Sequence, residues 1–245
     1  MPAAPTQQPK PERPFSLSTF LLEQRSPEPL ELDMLISRRL LLTLPALTLP
    51  ALAMPAIARA DGISLKDSMA ERSIGSADAK VVATEWFSLT CPHCAHYALE
   101  FLPQIQKEQV DTGRVRIVFR DFPLDQIALA AAMVVRSLPA DRYLPFMEAL
   151  FASQDRWAFA RDVNHLDEIA KMAALAGMPR SAFDAAVNNA DLRAAIVAGM
   201  DDAIKTFKID STPSFIFDGP KAKNRLEVGS QTPETFARIV NEIYG

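Results

Sequence analysis

Cysteine is scarce in this chain: there are two in 245 residues, Cys91 and Cys94. That count excludes a scaffold stapled by several disulfides and a zinc site built from two cysteine pairs. Histidine is scarce too, and of its three copies only His165 lies away from the cysteines. Charge of one sign is also missing. Lys and Arg number 26 against 30 Asp and Glu, a net charge of −4, and no basic face emerges, so nothing points to nucleic acid. Internal repeats are absent. The one long apolar run, Leu40 to Ile57, is broken by Pro45, Pro50 and Pro55, which argues against a stable membrane helix. The composition, 49% hydrophobic and 23% charged, is that of a globular protein with one domain's worth of core.

The amino-terminal stretch differs from the rest. Residues 1–33 carry seven prolines and little periodic hydrophobicity, the pattern of a disordered extension or of a start assigned too far upstream. Met34-Leu35-Ile36-Ser37-Arg38-Arg39 then gives a basic start, Leu40 to Ile57 an apolar middle, and Ala58-Arg59-Ala60 a small-residue end. Residues 34–60 thus read as a secretory signal peptide cleaved after Ala60, with a retained anchor as the alternative. Ser37-Arg38-Arg39-Leu40-Leu41 also resembles a twin-arginine signal. Either route leads out of the cytoplasm, to a compartment where disulfides persist.

What is present is a pair of thiols at a telling place. In Glu85-Trp86-Phe87-Ser88-Leu89-Thr90-Cys91-Pro92-His93-Cys94 the cysteines follow a strand-like run and open a helix-like one. A thiol at a helix start lies beside unpaired N–H groups and the positive end of the helix dipole, both of which favour thiolate. Cys91 is therefore the expected nucleophile and Cys94, one turn on, the resolving thiol. Pro92 suits a position that needs no N–H. His93, as a cation or a donor, can stabilise the thiolate further. A stabilised thiolate favours the reduced pair and makes its disulfide oxidising. Three other readings stand beside redox exchange: a structural disulfide, which so short a loop would make weakly stabilising; a metal site from Cys91, Cys94 and His96, which lacks a fourth ligand; and two inert buried thiols. His96 and His165 read as structural or solvated.

Along the chain, residues 61–79 read as an arm and leading loop. Lys80–Phe87 reads as a buried strand, and a helix from Cys91 to about Val110 follows, with Ala95, Ala98, Leu102, Ile105 and Val110 inward. Arg114–Phe119 alternates as a second strand, completing a parallel βαβ unit. The cysteines fall at the carboxyl end of its first strand, where open α/β sheets place their chemistry. Residues from about 125 to 209 carry only helical patterns, with Gly177 as a stop and Ser181-Ala182-Phe183-Asp184 as a capping box. Ser214–Phe217 and Leu226–Val228 form a hairpin around Asp218-Gly219. Thr232 caps a last helix with Pro233 first. The expected fold is α/β, in the order β-α-β, helical insert, β-β-α.

These residues together resemble the DsbA-like family of thiol:disulfide oxidoreductases, which have a thioredoxin-like fold with a helical insertion. Cys91-Pro92-His93-Cys94 is the family's active-site sequence. Glu85, six residues earlier, matches its acidic residue under the active site, and Arg120-Asp121-Phe122-Pro123-Leu124 is a familiar family string. Thr212-Pro213 before a strand matches the cis-proline loop. The resemblance implies that Glu85 takes or relays the proton of Cys94, and that Pro213 is cis. It also implies that the backbone at Thr212 pairs with an extended substrate segment. It implies no cofactor beyond the Cys91–Cys94 disulfide and no metal. The implied partners are unfolded or reduced exported proteins and a membrane redox protein.

One residue departs from the best-known oxidases, which carry valine where this chain has Thr212; threonine there is familiar among isomerases. Against isomerase, the mature chain leaves no room before its first strand for a dimerisation domain. The leading expectation is a periplasmic disulfide donor. An isomerase or reductase of the same fold is the first alternative, and a thioredoxin-fold chaperone or metal carrier the second.

Overall fold

The computed structural model describes residues 63–245. The expected extension (1–33), export signal (34–60) and cleavage point lie outside the described residues.

The stretch expected to be an arm and loop contains two short elements, α1 (Leu65–Ser68) and β1 (Arg72–Ile74). Only β1 pairs with the sheet, and three residues are too few for alternation to announce a strand. Next come β2 (Val81–Phe87) and a long helix whose geometry changes along its length. It runs as α2 (Pro92–His96), a π-helical turn (Tyr97–Phe101), α3 (Leu102–Ile105) and a second π-helical turn (Gln106–Val110). Pro103 has no N–H to give the carbonyl of Leu99, and the wider turn ahead of it, where the Leu102 N–H reaches Tyr97, absorbs that missing bond. The widening also explains an irregular spacing. Ile105 and Val110 are five apart, yet both are buried.

β3 (Val115–Asp121) runs two residues further than the alternation predicts. Six helices follow before the sheet resumes: α4 (Gln126–Arg136), α5 (Ala140–Phe151), α6 (Gln154–Trp157), α7 (His165–Leu175), α8 (Arg180–Val187) and α9 (Ala190–Phe207). Gly177, at φ +86, follows α7 in a conformation that costs glycine little. The expected capping box fails. Pro179 occupies the N-cap position of α8 without a side-chain capping bond, and Ser181 is already inside the helix, while Asp184 pairs with Arg180 one turn away. Leu166 of α7 is exposed; it sits in the first turn, ahead of the buried Ile169 and Ala173. The chain closes with β4 (Ser214–Asp218), β5 (Arg225–Val228) and α10 (Pro233–Tyr244), whose N-cap Thr232 accepts from the Thr235 N–H.

The five strands order as β1-β3-β2-β4-β5. β2 is central, parallel to β3 and antiparallel to β4. One face of β2 carries Val81, Ala83, Glu85 and Phe87, all at most 2% exposed, so a carboxylic acid occupies a place that alternation reserves for an apolar side chain. Behind the sheet's end, the buried Arg136 of α4 donates from Nε to Asp121 Oδ2 at 2.6 Å and from its other nitrogens to the carbonyls of Ala70 and Phe119. This ion pair fastens the insert to the last residue of β3.

Candidate functional site

The site forms where β2 ends. Cys91 is the N-cap of α2, in an extended conformation, and its sulfur accepts from the Cys94 N–H at 3.3 Å. Pro92 occupies the first helical position, where a missing N–H costs nothing. Cys94 is fully buried and Cys91 nearly so; both are free thiols in this structure.

On the far side of Cys91 lies the loop before β4. The Thr212–Pro213 peptide bond is cis, and Cys91 Sγ donates to the Thr212 carbonyl at 3.3 Å. That contact belongs to the thiol, since a thiolate has no proton to give. The hydroxyl of Thr212 is buried without a partner and is the side-chain group of this residue that can donate to a thiolate. Gly229 and Ser230, just after β5, complete the rim: the Gly229 N–H reaches the Pro213 carbonyl at 2.8 Å and the Ser230 hydroxyl reaches the His93 carbonyl at 3.0 Å.

The electrostatics separate the two thiols. Cys91 is pulled down to about 5, first by the Cys94 thiol donating to it, with burial opposing, and then by the Thr212 side chain and the N–H groups of Cys94 and His93. Cys94 is pushed well up, first by burial, then by its bond to Cys91 and the negative charges of Cys91 and Glu85. Glu85 is pushed up to about 8 by burial and then by Cys91. Its register neighbours explain the burial: Phe119 on β3 and Phe215 on β4 flank it. Tyr97, wholly buried, sets its ring edge on Phe215 at 4.9 Å and leaves its hydroxyl unpartnered on this side of the sheet.

The residues singled out from sequence thus fall into two groups. Cys91, Cys94, Thr212 and Pro213 meet around one sulfur, with Glu85 coupled to it from the strand beneath. His93 acts on Cys91 through its backbone N–H, while its exposed ring makes no hydrogen bond among the described residues. His96 is also exposed and sets its ring edge on Phe101 at 4.7 Å. Nδ1 of His165 lies 2.8 Å from the Trp157 carbonyl. Among the described residues no three of His, Cys, Asp and Glu converge on a metal-sized site.

Sequence reasoning missed a second set of residues. Gln154, at the start of α6, donates from one nitrogen to the carbonyls of Leu89 (2.7 Å) and Cys91 (3.1 Å). Thr90 donates to Asp125 Oδ2 at 2.6 Å, Asp125 caps α4, and Ser88 Oγ accepts from the Leu124 N–H. The signal available was weak: Asp125 stands where a cap belongs, but a lone glutamine carries no pattern. A groove of about 910 Å³ lies elsewhere, between α5, α6 and α7, and neither cysteine lines it.

A thiol pair at a helix head, facing a cis-proline loop across the end of a mixed sheet, defines the thioredoxin class of thiol–disulfide site. A family model described as thioredoxin matches residues 67–242, and the chain belongs to that family, in its DsbA-like branch. Its fold is the thioredoxin fold with a helical insertion. The solved structure of alpha-DsbA1 from Wolbachia pipientis superposes with a TM-score of 0.65 at 27% identity, over 72% of this chain and 92% of that one. A protein-disulfide isomerase from Novosphingobium aromaticivorans gives 0.60 at 26%, over 71% and 98%. A Rickettsia prowazekii protein named as a protein-disulfide oxidoreductase is 27% identical over 167 residues, 68% of this chain and 61% of its own length. The chain spans about three fifths of the curated relatives it matches first.

Proposed function

We propose that the protein is a thiol:disulfide oxidoreductase that hands its Cys91–Cys94 disulfide to exported proteins in the periplasm. The observation that carries this reading is the asymmetry of the two sulfurs. Cys91 sits on the helix N-terminus with its thiolate favoured, and Cys94 is buried with its thiolate disfavoured.

A substrate thiolate attacks Cys91 Sγ, the Cys91–Cys94 bond breaks, and the Cys94 sulfur leaves with the electron pair. Cys94 takes up a proton, and Glu85, neutral below about pH 8 and electrostatically coupled to the Cys94 sulfur, is the acid assigned to supply it. The second substrate thiolate then attacks the substrate sulfur of the mixed disulfide, and Cys91 departs as a thiolate. The substrate dithiol is oxidised and the Cys91–Cys94 pair reduced. A leaving thiol of low pKa leaves faster, and a stable thiolate favours the reduced protein. Both effects drive disulfides outward.

The edge around Cys91 supports a polypeptide substrate. The exposed apolar side chains of Leu124 and Val228 lie at the sheet end that carries Cys91, and the cis-proline loop offers backbone for an extended segment. Reoxidation falls to a membrane redox partner. Among the described residues no helix is long and apolar enough to cross a membrane, and residues 34–60 supply the export reading.

Thr212 favours a second reading, an isomerase or reductase held reduced. Alkylation of Cys91 and Cys94 in intact cells separates the two: oxidised at rest for the donor, reduced for the alternative. Cys91→Ser abolishes dithiol oxidation in a refolding assay; unchanged oxidation refutes the assignment of Cys91.

A further inference from the structure

Gln154 belongs to the insert, not to the βαβ unit that carries the thiols, yet it reaches the peptide groups on either side of the catalytic turn. The residue is 7% exposed. Nε2 has two protons, and the two acceptors, the Leu89 and Cys91 carbonyls, use both. Leu89 is buried, so its carbonyl has little access to water. Cys91 O is already the acceptor of the first intrahelical bond, from the Ala95 N–H at 3.1 Å, and Gln154 supplies its second lone pair.

The platform under Gln154 is rigid. α6 is one turn long, and its Trp157 is wholly buried with its indole N–H on the Leu150 carbonyl at 2.7 Å. His165 Nδ1 lies against the Trp157 carbonyl, tying α6 to the start of α7. The Gln154 carbonyl also accepts from the N–H groups of Ala158 and Phe159. The side chain that reaches the catalytic turn therefore starts from a backbone with little freedom.

We propose that Gln154 is a positioning residue, clamping the carbonyls of Leu89 and Cys91 so that the Cys91 sulfur stays aligned on the Cys94 N–H. The proposal rests on Cys91 being the attacking thiol. The physical step is short. The contact between Cys91 Sγ and the Cys94 N–H, at 3.3 Å, is close for a bond to the large sulfur atom, and hydrogen bonds weaken steeply with misalignment. Without the clamp, the Leu89 carbonyl is buried and unpaired, and a shift of the turn towards another donor moves the N-cap residue with it.

The test removes the donors and keeps the length: Gln154→Met, with Gln154→Glu as a second variant whose carboxylate faces two carbonyls. Thiolate absorbance at 240 nm against pH, on the full reduced protein, reads the Cys91 midpoint. It rises by about half to one pH unit in Gln154→Met and further in Gln154→Glu. The equilibrium with glutathione moves about three- to tenfold towards the disulfide form. A folding defect alone moves neither reading in the population that remains native. A midpoint and a glutathione equilibrium matching the parent in a variant with the parent's far-ultraviolet spectrum overturn the proposal.

A measurement on the unaltered protein covers the case in which neither variant folds. In ¹⁵N-labelled reduced protein both side-chain amide protons of Gln154 exchange slowly and shift as Cys91 ionises; fast exchange with no such shift overturns the clamp. If the parent's Cys91 titrates near 9, the assignment of Cys91 fails, while the exchange of the Gln154 amide still reports on the clamp.

Discussion

Replacing Glu85 by Gln tests the most unusual burial in the molecule. The carboxyl group, ordinarily at 4.5, is raised to about 8 by burial and then by the Cys91 thiolate. The folded protein therefore holds this proton more tightly than the unfolded chain does. Below pH 4.5 both states are protonated, and Glu85 costs nothing through ionisation. Between 4.5 and about 8 the unfolded chain releases the proton and the folded one keeps it, so stability falls by about 1.4 kcal/mol per pH unit. At pH 7 the loss is about 3 kcal/mol, and above 8 it levels off near 5 kcal/mol. Glutamine has no such dependence.

Glu85→Gln is thus more stable than the parent by about 3 kcal/mol at pH 7, and the two converge as pH falls to 4.5. For a domain of this size that is a rise in Tm of roughly 6–12 °C at neutral pH. The assay is urea unfolding of both proteins, kept reduced, at half-unit steps from pH 4 to 9. With Cys91 in a disulfide its charge is gone, so the gap narrows in the oxidised pair but keeps its sign. A stability difference that does not change with pH refutes the reasoning, because it means that the carboxyl titrates alike in both states.

Two further substitutions test other parts of the argument. Thr212→Val removes the hydroxyl that can donate to the Cys91 thiolate and leaves the carbonyl in place; the Cys91 midpoint rises above about 5, and the glutathione equilibrium shifts towards disulfide. An unmoved midpoint assigns Thr212 to the backbone contact alone. Arg136→Met strands Asp121 in the interior, and urea unfolding at pH 7 shows a loss of about 3–5 kcal/mol, with the Cys91 titration little changed.

Much of this was legible in the order of apolar runs. β2, the helix after Cys91, the helical stretch beyond Asp125, the closing hairpin and α10 all follow from local periodicity and from caps such as Thr232-Pro233. The failures have particular causes. β1 is too short to alternate and is held by its pairing with β3. Ser181 lost the N-cap position to Pro179 two residues earlier, because a chain turning after Gly177 enters the helix sooner than the Ser-x-x-Asp spacing implies. The residues converging on Cys91 divide in the same way. Local spacing identifies the two cysteines and Pro92. Glu85 and Thr212-Pro213 were placed by resemblance, since a strand glutamate and a Thr-Pro pair have common alternatives. Gln154 reaches its partners across 63 and 65 positions, and nothing local marks such a contact.

The insert leaves the sheet after Asp121, opposite Phe87 at the end of β2, and the chain returns at Ser214, opposite Trp86. Both junctions are on the edge that carries Cys91. Whatever is spliced between them must rise over the reactive sulfur, so the connection works as an exchangeable visor on a fixed frame. The same connection carries Arg136, which pairs with Asp121, Gln154, which holds the turn at Cys91, and Thr212, whose carbonyl meets the Cys91 sulfur, so a chimera cut at those two points keeps the site only if it keeps these residues.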